Sequence, residues 1–90
     1  MTREEIRRKA LETANLRMGI NPNDVVDAAS LDETFGDSLG AVEFVVWCDD
    51  YFGTNISNEE FWTLASFKDV IDILCRKLDA ECCRPLEAVA

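Results

Sequence analysis

The residues with the clearest chemical potential in this chain are Asp37 and Ser38, a carboxylate and a hydroxyl placed side by side after Gly36. A serine becomes a nucleophile only when a nearby base can take its proton, and histidine is the usual base. The 90 residues contain no histidine. Ser–His–Asp and Cys–His catalysis are therefore excluded within the chain. We expect a protein that is not an enzyme, whose serine is modified by another enzyme.

The four cysteines do not form a recognisable metal site. Cys82 and Cys83 are adjacent, which is not the CxxC spacing of metal ligands, and the missing histidines remove the mixed Cys/His sites. We expect no metal and interpret all four cysteines as free thiols, with Cys48 and Cys75 packed inside helices. Adjacent acids point in different directions on a helix or loop, so three acidic pairs are expected to be solvated surface charges: Asp32–Glu33, Asp49–Asp50 and Glu59–Glu60.

The charge of −9 is distributed unevenly along the chain. No Lys or Arg occurs between Met18 and Phe67, while this stretch holds ten of the 18 acidic residues. Such a field repels nucleic acid and anionic lipid and attracts partners with basic patches. No run approaches the roughly 20 apolar residues of a membrane span. We therefore expect no nucleic-acid or membrane partner, and a location in the cytoplasm.

The elements that would position Ser38 are helices. Thr2 followed by the first-turn acids Glu4 and Glu5 predicts the start of a first helix that runs to about Arg17, and Gly19 predicts its end. A long connection from Asn21 leads to a second helix over about 38–51, capped by Asp37 or Ser38 and ended by Gly53. A short third helix is predicted to follow Ser57 or Asn58, and a fourth to span about 67–79. The pattern predicts an all-α fold, a small bundle of three main helices plus one short helix. Residues 1–80 would form one domain and residues 81–90 a flexible tail.

The second helix has two different faces. Stepping 100° per residue places Ala41, Phe44, Val45, Cys48 and Phe52 on the face that must look inward. The opposite side combines apolar residues with carboxylates close to Ser38, which suits a docking surface for partner proteins. We assign to that surface Asp37, Leu39, Val42, Glu43, Val46, Trp47, Asp49 and Asp50.

The motif Asp37-Ser38-Leu39 at the start of an acidic helix resembles acyl carrier proteins. The resemblance covers about residues 3–78 and includes further short motifs at family-like spacing: Gly19-Ile20, Ala29-Ser30-Leu31, Val42-Glu43-Phe44, Phe52-Gly53 with Ile56, and the stretch 64–70. It implies that Ser38 carries a 4′-phosphopantetheine arm derived from coenzyme A, with the acyl group held on the arm's thiol as a thioester. Helix amino ends favour such an anionic group.

The resemblance also implies the partners and the role of the chain. A phosphopantetheinyl transferase would load the arm, and acyl-processing enzymes such as a ketosynthase, dehydratase, reductase or acyltransferase would use the carrier, as a discrete monomer, in fatty-acid or related synthesis. The aromatic residues Phe35, Phe44, Phe61 and Trp62 are candidates for an acyl pocket between the second and third helices. As core aromatics they would need no ligand.

Several positions depart from the family pattern. The turn before Asp37 is one residue shorter than usual, and Gly40 stands where fatty-acid carriers generally have an acid. A glycine after this motif resembles D-alanyl carriers, so an aminoacyl carrier is an alternative. Trp47 could be a partner contact or could pack against a neighbouring helix. A helical interaction domain without a prosthetic group is the alternative of another class.

Overall fold

The computed structural model describes residues 1–78, and this part of the chain is built from helices. The long helices are α1 (Arg3–Met18), α3 (Ser38–Phe52) and α5 (Phe67–Leu78). Two short ones, α2 (Leu31–Phe35) and α4 (Asn58–Phe61), lie between them, and a 3₁₀ turn covers Pro22–Asp24. The predicted all-α fold with three main helices is confirmed. The expected tail 81–90 and the Cys82–Cys83 pair lie outside the described residues.

The helix α2 was not predicted and forms inside the connection that we expected to be a loop. The side chain of Ser30 caps it by accepting from the amide of Glu33 at 3.1 Å. Leu31 and Phe35, one turn apart, are both buried. A single turn of helix leaves little sequence periodicity, and tertiary burial rather than propensity stabilises it.

The predicted helix ends agree with the structure. Thr2 and Glu5 form a capping box at the start of α1, in which each side chain accepts from the other residue's backbone. Gly19 ends α1 in the left-handed conformation at φ 70°, where a glycine has no steric cost. Asp37, rather than Ser38, is the cap of α3.

The core lies between α1, α3 and α5. Its largest fully buried side chains include Ile6 from α1, Phe44 from α3 and Phe67 with Leu74 from α5. Phe35 stacks on Phe44 with ring centroids 4.4 Å apart, and Phe67 follows at 5.8 Å from Phe44. The aromatic row therefore runs from α2 through α3 to α5, and it attaches the short helix to the main bundle.

Hydrogen bonds fix several of the connections between the helices. The amide of Leu31 donates to the carbonyl of Ala65 at 3.1 Å, and that of Phe67 donates to Ala29 at 3.4 Å, which joins the starts of α2 and α5. After α3, the Asp49 carboxylate accepts from Thr54 Oγ1 at 2.7 Å and from the Ile56 amide at 3.1 Å. These bonds hold in place the connections that precede α2 and α5 and the one that follows α3.

Candidate functional site

Ser38 is the first residue of α3, and it is exposed. The Asp37 side chain accepts from the Gly40 amide at 2.8 Å and satisfies one of the amides that a helix start leaves open. The Ala41 amide donates to the Asp37 carbonyl. The amides of Ser38 and Leu39 thus lie at the positive end of the helix dipole without an acceptor inside the helix. This end of α3 can receive an anionic group beside a serine hydroxyl.

A second carboxylate, from α2, faces the same hydroxyl. The oxygens of Asp32 lie 3.4 and 3.5 Å from Ser38 Oγ, close enough for a long hydrogen bond in which the hydroxyl donates. We had expected Asp32 to be a solvated surface charge. The sequence did not reveal this contact because α2 itself was not predicted, and six residues separate the two positions.

Gly40 allows α2 to come this close to α3. A Cβ built on Gly40 would lie 2.2 Å from the backbone oxygen of Phe35, which no real side chain tolerates. The helix end therefore packs directly on the glycine backbone. The acid that fatty-acid carriers generally have at this position would not fit without a displacement of α2.

A groove opens beside Ser38 between α2, α3 and α4. Its volume is about 250 Å³, and its lining includes Asp32, Ala41, Phe61, Trp62 and Leu64 together with Ser38. Trp62 is 75% exposed and also borders a second groove of about 230 Å³, which lies on the other side against Val42, Val46 and Ile56. Both grooves are open to solvent and have mixed polar and apolar walls.

The four aromatic residues that we considered for an acyl pocket lie in two different places among residues 1–78. Phe35 and Phe44 are stacked in the core and border neither groove. Phe61 and Trp62 contact each other edge to face at 5.3 Å and border both grooves. The proposed set therefore divides into a structural pair and a surface pair. Sequence patterns could not separate them because all four lie in or next to helices.

The outward side of α3 largely has the predicted composition. Leu39 is 66% exposed and Val46 is 56% exposed, with Val42 also at the surface. Glu43 and Asp50 are exposed as well. These residues form one continuous strip that begins at Ser38, since they lie on successive turns of the helix.

Two members of the predicted docking surface point elsewhere. The Asp49 carboxylate faces the loop after α3, where it holds Thr54 and Ile56, instead of solvent. Trp47 is half-buried, and the Arg17 guanidinium lies over its ring at 4.5 Å from the centroid. Trp47 therefore packs against Arg17 of the neighbouring helix α1, and its contact with a partner stays a prediction.

The other reactive side chains have no visible part in this site. Cys48 and Cys75 are both buried. Burial raises the pKa of the Cys48 thiol, with a further contribution from Asp49, so that the thiol stays protonated and unreactive. Within residues 1–78 no cluster of acidic or cysteine residues could hold a metal ion, and no helix is long and apolar enough to cross a membrane.

The small helical bundle with an exposed serine at the start of α3 is similar to known proteins in sequence and in structure. A sequence model described as "Phosphopantetheine attachment site" matches residues 8–74. The chain is 32% identical over 81 residues to an acyl carrier protein of Thermosynechococcus vestitus, covering 89% of this chain and all of that protein. It is 33% identical over 73 residues to one of Rubrobacter xylanophilus, covering 80% and 90%.

A solved structure has the same fold. The crystal structure of an acyl carrier protein from Thermotoga maritima matches with a TM-score of 0.77 at 30% identity, over 88% of this chain and 93% of that one. The chain belongs to the acyl carrier protein family. Its members are non-catalytic carriers that other enzymes modify and use, and they bear a covalent 4′-phosphopantetheine group.

The residues present fit such a group. Ser38 supplies an exposed hydroxyl, and the free amides at the start of α3 favour the negative charge of a phosphodiester. When bound, the group supplies the thiol that carries an acyl chain as a thioester. The family match favours this interpretation over the interaction domain without a prosthetic group.

Proposed function

We propose that Ser38 is the attachment residue and that the chain presents thioester-bound acyl groups to the enzymes of fatty-acid or related synthesis. The observation that carries the proposal is the exposed Ser38 hydroxyl at the first turn of α3, next to a groove and to the strip of apolar and acidic residues. The chain's own residues bind and orient; the chemistry on the acyl group belongs to the partners.

The docking surface of this proposal is the strip formed by Leu39, Val42, Glu43, Val46 and Asp50. Its exposed aliphatic residues offer contact area, and its carboxylates would steer an approaching basic patch. A phosphopantetheinyl transferase and acyl-processing enzymes such as a ketosynthase, dehydratase, reductase or acyltransferase are the proposed partners. We also propose the cytoplasm as the location, since the Cys48 thiol is in no disulfide, which is typical of reducing compartments.

The attachment residue is tested by incubating the protein with coenzyme A and a phosphopantetheinyl transferase and measuring the intact mass. We expect a gain of one arm in the wild type and none in Ser38→Ala. Ser57→Ala is a matched control, because Ser57 is likewise an exposed serine at a helix start, as the cap of α4. Loading of Ser38→Ala, or its loss in Ser57→Ala alone, would contradict the proposal.

An aminoacyl carrier is the second candidate for the cargo, and Gly40 is the observation that favours it. The close contact with Phe35 excludes the acid that fatty-acid carriers generally have there, so the surface next to Ser38 is less acidic than in those carriers. Mass spectrometry of the intact protein from its native cell would read the arm together with its cargo. An amino acid on the arm would replace the fatty-acyl proposal, and an aliphatic or ketoacyl group would support it.

A further inference from the structure

The Asp32 carboxylate faces the Ser38 hydroxyl but belongs to none of the roles described so far. It does not cap its own helix, since the Ser30 side chain does so by accepting from Glu33. Within the described residues it has no cationic partner, and its carboxylate accepts a hydrogen bond from Ser38 Oγ. An exposed carboxylate gains little stability from such a bond, so its position invites a functional explanation.

The position of Asp32 is fixed by the packing of α2. Leu31 and Phe35 on either side of it are buried, and the Leu31 amide is tied to Ala65. The carbonyl end of α2 rests on Gly40 with no space for a Cβ. Three separate contacts therefore direct the first turn of α2 toward Ser38, and only a glycine at position 40 permits the third.

We propose that Asp32 acts in the attachment of the arm, by accepting the Ser38 hydroxyl as a hydrogen-bond donor and taking its proton. This inference rests on the proposed role of Ser38. In the reaction, a bond forms between Ser38 Oγ and a phosphorus of coenzyme A, the pyrophosphate bond of coenzyme A breaks, and adenosine 3′,5′-bisphosphate leaves. The Oγ proton passes to the Asp32 carboxylate and then to water. The carrier itself would thus supply one of the groups that its loading needs.

The distance of 3.4 Å between Asp32 and Ser38 Oγ is long for proton transfer, and such contacts commonly shorten when the reacting complex forms. The carboxylate needs only a small movement, because it lies on an exposed turn directly opposite the hydroxyl. Its charge also orients the hydroxyl before the transferase binds, since the hydrogen of Ser38 is directed toward α2.

The test compares Asp32→Ala with Glu33→Ala, which removes the same charge from the next residue of α2, also exposed. The rate of the first turnover is measured with carrier and coenzyme A in saturating excess over the transferase. We expect Asp32→Ala to lower the saturating rate by about a hundredfold or more, the low end for proton transfer by a side chain. Asp32→Asn keeps an oxygen acceptor but cannot take the proton, so its rate should lie between those of Asp32→Ala and the wild type. Glu33→Ala should keep the wild-type rate.

A readout that is independent of loading comes from the unmodified protein. The Hα–Hβ scalar couplings of Ser38 should report one rotamer in the wild type and Glu33→Ala, and an average over rotamers in Asp32→Ala. Gly40→Ala should reproduce the Asp32→Ala rate because the new Cβ must displace α2, and the double variant should be no slower than either single one. If Gly40→Ala fails to fold, the comparison of Asp32 with Glu33 variants decides.

Equal saturating rates for Asp32→Ala and Glu33→Ala would overturn the role of Asp32. The role would also be overturned if both variants changed only the carrier concentration that gives the half-maximal rate, because a charge that contributes only to docking behaves in this way. These outcomes leave the attachment residue intact, because wild type would still load and Ser38→Ala would not. Failure of the attachment proposal appears differently, as a wild-type protein that never gains the arm.

Discussion

The charged residues on the α1–α5 side of the molecule and those on the outward side of α3 differ in whether they have ion-pair partners inside the fold. Arg3 pairs with Asp72 and Arg7 with Asp27, so two cations of α1 are matched to acids from other parts of the fold. On α3, Glu43 and Asp50 have no ion pair within residues 1–78 and stand beside exposed aliphatic side chains. The first side uses charge to hold elements together. The second leaves charge available to something outside the chain.

The same division appears in how the two sides bury apolar surface. Phe44 and Phe67 are fully buried between the long helices, whereas Leu39 and Trp62 on the site side are mostly exposed. Exposed apolar residues next to carboxylates are characteristic of an interaction surface. The two faces of α3 therefore differ in burial, and substitutions on them should separate a loss of stability from a loss of the proposed docking.

The largest effect is expected from Phe44→Ala on the inward face. Phe44 is fully buried and stacks on Phe35, so its loss should lower the free energy of unfolding by about 3–5 kcal/mol. Leu39→Ala, on the outward face of the same helix, should change it by less than about 0.5 kcal/mol. Urea denaturation followed by circular dichroism measures both. Similar losses for the two variants would contradict the division.

The next effect is expected from Gly40→Asp, which places the usual acid of fatty-acid carriers beside Phe35. The side chain must push α2 away, and we expect a loss of about 1–3 kcal/mol, typical of overpacking. Leu39→Asp adds the same charge at an exposed neighbouring position and should be nearly neutral. Thermal unfolding distinguishes them; an equally stable Gly40→Asp protein would show that α2 is not held against α3.

Asp49→Ala should have an intermediate effect, since it tests a carboxylate that belongs to the structure although it lies on the predicted docking surface. It would leave the Ile56 amide and the Thr54 hydroxyl without their acceptor, at a cost of about 1–2 kcal/mol. Asp50→Ala, one residue further and exposed, is the control for charge and should cost almost nothing. A partner pull-down should show the reverse order, with Asp50→Ala weakening binding more.

The smallest effect concerns the ion pairs of the opposite side and their dependence on pH. Burial by itself raises the pKa of Asp72, but hydrogen bonds from Lys68 and Arg3 outweigh it, so the pKa lies below its ordinary value of 3.8. A depressed folded-state pKa adds stability that is present above the ordinary value and is lost as the pH falls through the folded one. Partly exposed pairs contribute about 1 kcal/mol or less.

Asp72→Asn should therefore destabilise the protein slightly at pH 7 and much less at pH 2. Asp24→Asn, which removes the same charge from the exposed 3₁₀ turn, is the control. Free energies of unfolding across this pH range provide the measurement. A difference between Asp72→Asn and wild type that stays constant down to pH 2 would show that the Asp72 pairs are not its source.

The elements that the sequence predicted well are those whose ends carry specific residues. Thr2 with Glu5, Gly19 and Gly53 determine local backbone conformation and need no tertiary partner, so they could be read directly. The two faces of α3 followed from its period. What could not be predicted depends on contacts distant in sequence: α2 forms because its ends are buried, and Asp32 meets Ser38 only because α2 forms.

The site shows the same limit in its individual residues. The family motif identified Ser38 as a candidate, but the pattern could not tell that Asp49 faces a loop or that Trp47 lies under Arg17. From the sequence, Gly40 is a residue of low helix propensity at a position where fatty-acid carriers generally have an acid. The structure gives it a steric reason, since position 40 is in contact with a backbone oxygen. Such contacts depend on packing and have no periodic trace in the sequence.

The backbone hydrogen bonds between the starts of α2 and α5 also have a consequence for folding. The bond from Leu31 to Ala65 closes a loop that contains α2, α3 and α4, while α1 and α5 lie outside it. Bringing the ends of this loop together costs conformational entropy, and they meet where Ser30 lies opposite Ser66. Once that point has formed, the two ends of residues 31–65 are held next to each other, and fewer chain conformations remain to be searched before Phe44 of α3 meets Phe67 of α5.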